Sequence, residues 1–231
     1  MILNMDGFNH LMSNQLLRVD HLVKRYGTKT ILNQLNLTLL DNDYASIIGK
    51  SGSGKSTLAH ILGLMDDYDE GSIYFQGRLL DPKKDNAIIR AQSIGFIFQS
   101  YNLIPHLSAE KNILLPAVFS NLCYDKERMK RLYEHLGIQH LLNTDVSVLS
   151  GGEKQRVAIC RSLLFDPPLI LADEPTGNLD AENEALIFRL FKELREEGKT
   201  ILVITHNQER AKEADKCYEL KGGNLHDQTI D

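Results

Sequence analysis

Gly49-Lys50-Ser51-Gly52-Ser53-Gly54-Lys55-Ser56-Thr57 lies between the apolar run Tyr44-Ala45-Ser46-Ile47-Ile48 and the periodic run Thr57-Leu58-Ala59-His60-Ile61-Leu62. The nine residues fit the spacing Gly, four of any kind, Gly-Lys-Ser/Thr, the P-loop pattern for a nucleoside triphosphate. Glycines let the backbone curl so that its N–H groups face inward around an anion. Lys55 brings a compact positive charge to the β- and γ-phosphates, and Ser56 offers a hydroxyl to Mg²⁺. A helix beginning at about Gly54 aims its positive end at the same phosphates. A plain glycine-rich turn is the competing reading. The strand before and the helix after argue against it, because that is the order the motif demands.

A P-loop alone leaves kinases, GTPases, helicases and transport ATPases open. Leu149-Ser150-Gly151-Gly152-Glu153-Lys154-Gln155-Arg156 narrows the choice. This stretch resembles the signature sequence of ATP-binding cassette (ABC) proteins, and the family's other motifs follow in order. Tyr26 resembles the adenine-stacking aromatic, Gln99 the Q-loop glutamine, and Leu169 to Glu174 the Walker B strand with its catalytic glutamate. Asn178-Leu179-Asp180 resembles the D-loop and His206 the switch histidine. The resemblance spans roughly residues 14 to 225.

Hydrophobic patterning supports an α/β fold. Leu17–Val23, Gln34–Leu39 and Ser72–Phe75 alternate apolar and polar in part, as half-buried antiparallel strands do. Ile94–Phe98, Leu169–Ala172 and Ile201–Ile204 are continuous apolar runs, which suit parallel strands covered on both faces. Met129, Leu132, Tyr133 and Leu136 form one apolar helix face, and Ile187, Leu190, Phe191 and Leu194 another. The expected architecture is a P-loop cassette with a mostly parallel core sheet, an N-terminal antiparallel β subdomain and an inserted helical subdomain at about 100–165. Residues 1–13 read as an N-terminal extension and 14–231 as a single ATP-binding domain. Residues 1–12 precede the family pattern, so Met5 or Met12 is an alternative start and the extension is expected to be dispensable. Asn42-Asp43 stands where the family usually has Gly-Glu before the P-loop strand. Asn tolerates positive φ better than most residues, so the turn is expected to survive.

The resemblance implies roles. Asp173 supports Mg²⁺ together with Ser56 and Gln99, and Glu174 polarises the attacking water. His206 holds the γ-phosphate and the water in line, and Gln99 senses both. Asp173 and Glu174 end a buried strand, at the edge where α/β ligands bind. Two exposed loop acids are the alternative. Gly49 to Thr57 cradle ATP; Lys50 adds charge there or points to solvent. Ser150 to Glu153 also fits a capping box, which is structural in itself. The resemblance adds that Ser150, Gly151 and Gly152 meet the γ-phosphate held by a second cassette, with Asp180 nearby, so the expected partner is another copy of this chain.

Net charge is -5 with no long basic run, which argues against nucleic-acid binding as the main role. Cys123, Cys160 and Cys217 show no metal-ligand spacing and read as free thiols. No stretch reaches the roughly 18 apolar residues of a membrane span, and the N-terminus does not read as a signal peptide. The expectation is a peripheral subunit at the cytoplasmic face of a membrane. Gln99 to Leu107 is the expected contact with a permease subunit.

Asp173-Glu174-Pro175-Thr176-Gly177-Asn178-Leu179-Asp180 is similar to the MacB, LolD and FtsE group. The resemblance implies ATP hydrolysis powering lipoprotein release or peptide and drug efflux. The short tail after Leu225 favours these over import. An FtsE-like ATPase that regulates a membrane complex without transport stays open. DNA-repair members would need long coiled-coil insertions, and translation-factor members two cassettes; neither feature is visible.

Overall fold

The computed structural model describes residues 14–82, 84, 86–177 and 179–228. The N-terminal extension and Asn178 of the expected D-loop lie outside the described residues. Strands β1 (Gln15–Tyr26), β2 (Lys29–Leu40), β4 (Glu70–Phe75) and β5 (Arg78–Leu80) form an antiparallel sheet in the order β2-β1-β4-β5. Its inner face is built from cross-strand apolar pairs, such as Leu17 opposite Leu39 and Val19 opposite Leu37.

The second sheet runs β10-β9-β3-β8-β7-β6. It comprises β3 (Tyr44–Ile48), β6 (Ile94–Ile97), β7 (Leu169–Asp173), β8 (Thr200–Ile204), β9 (Lys216–Lys221) and β10 (Asn224–Asp227). All neighbours are parallel except β10, which turns back on β9. Every residue of β7 and β8 is buried. Successive side chains of a strand point to opposite faces, so these runs feed two cores. Leu169, Leu171, Leu202 and Ile204 join the antiparallel sheet and helix α1 (Lys55–Leu62). Ile170, Ala172, Ile201 and Val203 join the helices on the other side. A continuous apolar run is what burial on both faces requires.

Helix α2 (Ala87–Ser93) precedes β6, and α3 (Ala109–Ser120), α4 (Lys126–His135) and α5 (Gly151–Ser162) lie between β6 and β7. Met129, Leu132 and Tyr133 of α4 are buried, as is Leu136 just beyond it. Helix α6 (Ala181–Glu196) buries Ile187, Leu190, Phe191 and Leu194, plus Phe188, which widens the expected stripe. Helix α5 stops at Ser162. Asp166 adopts φ 56° and Pro167-Pro168 follow, and neither conformation nor ring continues a helix. Asn42 takes φ 65°, as its residue type allows, and donates its N–H to Thr200 Oγ1 at 2.9 Å.

The segment after Gln99 is held from within by Asn112 of α3, which is fully buried. Its Oδ1 accepts from Ile104 N at 2.7 Å, and its Nδ2 donates to the carbonyls of Ile104, Leu107 and Ser108 at 3.1, 3.4 and 3.2 Å. Asn112→Ala would leave the N–H and carbonyl of Ile104 without this partner, while the Leu107 and Ser108 carbonyls keep backbone bonds. Urea denaturation is expected to record a loss of about 1–3 kcal/mol, the cost of orphaning buried polar groups.

Candidate functional site

The carboxyl ends of β3, β7 and β8 meet at one edge of the parallel sheet, the place where open α/β sheets bind ligands. A cleft of about 410 Å³ opens there, lined by Ile31, Ser51, Gly52, Gly54, Lys55, Ser56, Thr57, Gln99, Glu174 and His206. Gly54 caps α1 at φ 103°, and a Cβ there would meet Ile31 Cγ2 at 2.7 Å, so both backbone and space require glycine. The Lys55 ammonium donates to the carbonyls of Gly49 at 2.8 Å and Lys50 at 3.2 Å. Those bonds span the loop and hold it curled. The loop thus presents its N–H groups, the α1 N-terminus and one ammonium to a single point, a cradle for a polyphosphate. Lys50 itself is exposed.

Asp173 and Glu174 end β7 side by side and meet different surroundings. Asp173 is buried at 8% exposure, and its Oδ1 has no hydrogen-bond partner. Burial pushes its carboxyl above the usual range against the opposing Ser56 hydroxyl, and the Glu174 charge adds to the rise. Glu174 adopts φ 48°, uncommon for a residue with a Cβ, and its N–H donates to Ile204 O at 2.8 Å. Its Oε2 lies 2.8 Å from His206 Nδ1. A carboxylate only accepts, so Nδ1 carries the proton and Nε2 remains for another partner. The pair offers one carboxylate oxygen and one imidazole nitrogen to whatever enters the cleft.

Tyr26 is half-exposed and hydrogen-bonds Asp66, with the Thr57 hydroxyl also in contact. Ser150, Gly151, Gly152 and Asp180 do not line this cleft. Ser150 caps α5 in a closed box: Glu153 Oε2 accepts from Ser150 N and Oγ, each at 2.7 Å. Asp180 caps α6 by accepting from Asn183 N at 2.8 Å. Asn183 joins the two caps. Its Oδ1 accepts from Arg156 Nη1 at 2.9 Å and lies where a Cβ on Gly152 would stand, at 2.5 Å.

Three residues at the site carry no motif. Ile31 reaches the cleft from β2, a placement that strand alternation does not encode. Asn183 and Glu184 sit in the first turn of α6 and read as ordinary helix-start residues. Glu184 Oε1 accepts from Thr176 Oγ1 at 3.2 Å and Asn207 Nδ2 at 3.3 Å, and so ties the loop after Glu174 to the loop after His206.

A family described as "ABC transporter" matches residues 32–177. A lipoprotein-releasing system ATP-binding protein, LolD of Cytophaga hutchinsonii, is 39% identical over 90% of this chain and 98% of its own length. A macrolide export ATP-binding/permease protein, MacB of Pasteurella multocida, is 37% identical over 93% of this chain. The chain spans about a third, 34%, of that MacB protein. Among solved structures, the dimeric bacterial ABC transporter cassette MJ0796 is similar at TM-score 0.83 and 37% identity, covering 93% of this chain and 99% of that one. The same cassette is also known as a dimer in a post-hydrolysis state bound to ADP and Pi.

Lys55→Ala removes the only ammonium among the residues lining the cleft. Calorimetric titration with ATP is expected to give an affinity at least about tenfold weaker, the scale of one charge-assisted contact. Unchanged affinity would remove the triphosphate from this cradle.

Proposed function

The chain belongs to the ABC transporter family as one of its ATP-hydrolysing cassettes, and from that premise we propose how its residues bind and cleave ATP to drive a membrane complex. One observation carries the reading: the Glu174–His206 pair, 2.8 Å apart, stands on the wall of the cleft that contains Lys55. The P-loop N–H groups and Lys55 take the β- and γ-phosphates, and Tyr26 stacks on the adenine. Glu174 polarises the water that attacks the γ-phosphorus, and His206 holds that water and the γ-phosphate in line. Gln99 borders the same space and senses its contents. This is positioning and electrostatic stabilisation, which dominate phosphoryl transfer.

The residues fit a Mg²⁺ ion. Asp173 Oδ1 is a buried carboxylate oxygen with no partner, and burial without a cation disfavours its charged form. Ser56 and Asp173 would hold the ion, with Gln99 beside them. When bound, it supplies neutralisation of charge on the β- and γ-phosphate oxygens.

The working unit is two head-to-tail copies. Ser150, Gly151 and Gly152 lie outside the cleft of their own chain, yet they form the N-terminus of α5, whose first N–H groups have no carbonyl partner within the helix. A second chain brings its signature to this chain's γ-phosphate, so ATP closes the pair and ADP releases it.

The permease contact is a groove of about 340 Å³ beside the segment after Gln99, lined by Phe96, Phe98, Asn102, Pro116, Arg161 and Phe165 among others. Arg161 donates to the carbonyls of Asn102 at 2.6 Å and Tyr101 at 2.7 Å, so the signature helix grips this segment directly. Ile104, Val118 and Phe119 add exposed apolar surface. No helix among the described residues is long and apolar enough to cross a membrane. Its likeness to ATP-binding proteins of release and export systems supports action from the cytoplasmic face through that partner. The cargo follows the relatives: lipoprotein release or drug efflux.

Glu174→Gln is expected to bind ATP and to turn over slower by a factor on the order of 10² or more, having lost the group that activates the water. Steady-state phosphate release checks this, and rapid hydrolysis would take Glu174 out of the mechanism.

The same variant tests the dimer. Sedimentation is expected to find dimers with ATP and Mg²⁺ and monomers with ADP. Adding Ser150→Arg places a bulky side chain at the phosphate approach and is expected to abolish the dimer while monomers still bind ATP. A Ser150→Arg form that dimerises as well as its parent would rule out the proposed role of the signature.

A further inference from the structure

Beside the cleft, one ionic cluster is built far more tightly than a surface pair needs. Lys24, near the end of β1, is 5% exposed. Lysine is rarely buried to that degree unless it is paired. Its ammonium donates to Asp66 Oδ1 at 3.0 Å, Asp67 Oδ1 at 2.6 Å and Asp67 O at 2.8 Å. Asp66 Oδ1 also accepts from Asp67 N at 2.9 Å. That leaves Asp66 Oδ2, which accepts the Tyr26 phenol at 2.8 Å. Burial works against ionisation of Asp66, but the Tyr26 and Lys24 hydrogen bonds overcome it and hold its carboxyl below the usual range.

Tyr26 is therefore fixed at two points. Asp66 holds its hydroxyl, and Lys24 Nζ stands 5.1 Å from the ring centroid. The side chain nevertheless stays 52% exposed, so its own burial does not explain the constraint. A buried ion cluster is weak evidence of added stability, because desolvation offsets most of the attraction. What the cluster does accomplish is placement. The Thr57 hydroxyl, in the first turn of α1, also contacts the phenol, so the fixed ring stands at the mouth of the phosphate cradle. An aromatic surface that is already ordered loses less rotamer freedom when a flat ligand lands on it.

We propose that Asp66, backed by Lys24 and Asp67, is a positioning residue for the nucleotide base: it locks Tyr26 in the orientation that receives the ring of the base. The proposal rests on the reading of Tyr26 as the base platform. Asp66 touches neither phosphate nor reacting atoms in this scheme. Its loss weakens binding of a whole nucleotide and leaves binding of the bare phosphate chain alone.

Calorimetry with Mg-ATP and with Mg-tripolyphosphate, which has no base, separates these effects in the full chain. Tyr26→Phe keeps the ring and removes the hydroxyl, and Asp66→Ala removes the acceptor. Each is expected to weaken ATP binding by about three- to tenfold, the scale of one side chain that must be ordered on binding. Tripolyphosphate affinity should not change. The double variant should bind ATP no worse than Asp66→Ala alone, since both changes break one bond. Should Asp66→Ala fail to fold with Lys24 left to Asp67 alone, Tyr26→Phe decides by itself, because it keeps the Lys24 bonds to both Asp66 and Asp67.

Two outcomes overturn the proposal by itself. One is Tyr26→Ala weakening ATP binding while Tyr26→Phe binds as the parent does; the ring then receives the base without the network. The other is a parallel loss of ATP and tripolyphosphate, which places the effect on the cradle. A Tyr26→Ala variant with unchanged ATP affinity would instead defeat the base-platform reading, and the proposal with it.

Discussion

Burial of the parallel strands on both faces is the constraint from which the site follows. Strands β7 and β8 have no exposed residue, so they cannot be shifted in register without driving apolar side chains out of one of the two cores. Their pairing sets Asp173 beside Ile204, and β3 pairs with β8 on the other side. That register brings the P-loop after β3, the acids at the end of β7 and His206 just beyond β8 to a single edge. The chemistry sits on loops, and its geometry is inherited from strands that have no freedom to move.

Side-chain ties then fix the loops relative to one another. Glu184 accepts from Thr176 on one side and Asn207 on the other, and Arg210 closes the group at 3.4 Å. Glu174 is thereby held in a left-handed conformation that its residue type does not favour, with its N–H bonded to β8. Strain of this kind persists only where surrounding contacts over-determine the backbone. On the far side, Asn183 links the cap of the signature helix to the cap of α6. The signature and the loop after Walker B therefore cannot reorient independently.

The P-loop and the core strands β6, β7 and β8 were legible because they depend on local pattern. Continuous apolar runs marked β7 and β8, and residue type foretold the positive φ of Asn42. The Lys24 cluster was not legible. Strand alternation would place only one of Val23 and Lys24 inside, yet Leu22, Val23 and Lys24 are all buried in succession. The cause is a set of register shifts in the β1–β2 pairing between Val19 and Arg25, with His21 at φ 50°. A bulge breaks the period of two and re-aims the side chains beyond it. Ile31, Asn183 and Glu184 escaped for a related reason: their partners are set by tertiary contacts, and no local period encodes those.

The two glycine-rich motifs differ in how their own side chains satisfy them. In the P-loop the ammonium of Lys55 bridges the carbonyls of Gly49 and Lys50, and no side chain caps the helix start at Gly54. At the signature, the side chain of Glu153 already satisfies Ser150, so this helix start is stable with no anion present. The first motif is an uncapped helix start, and the second is a finished helix cap. In the proposed head-to-tail pair, a γ-phosphate held in the first would meet the second without the second having to refold. In that pair the attraction would depend on one phosphate group, so a single bond cleavage would suffice to change the affinity of two whole cassettes.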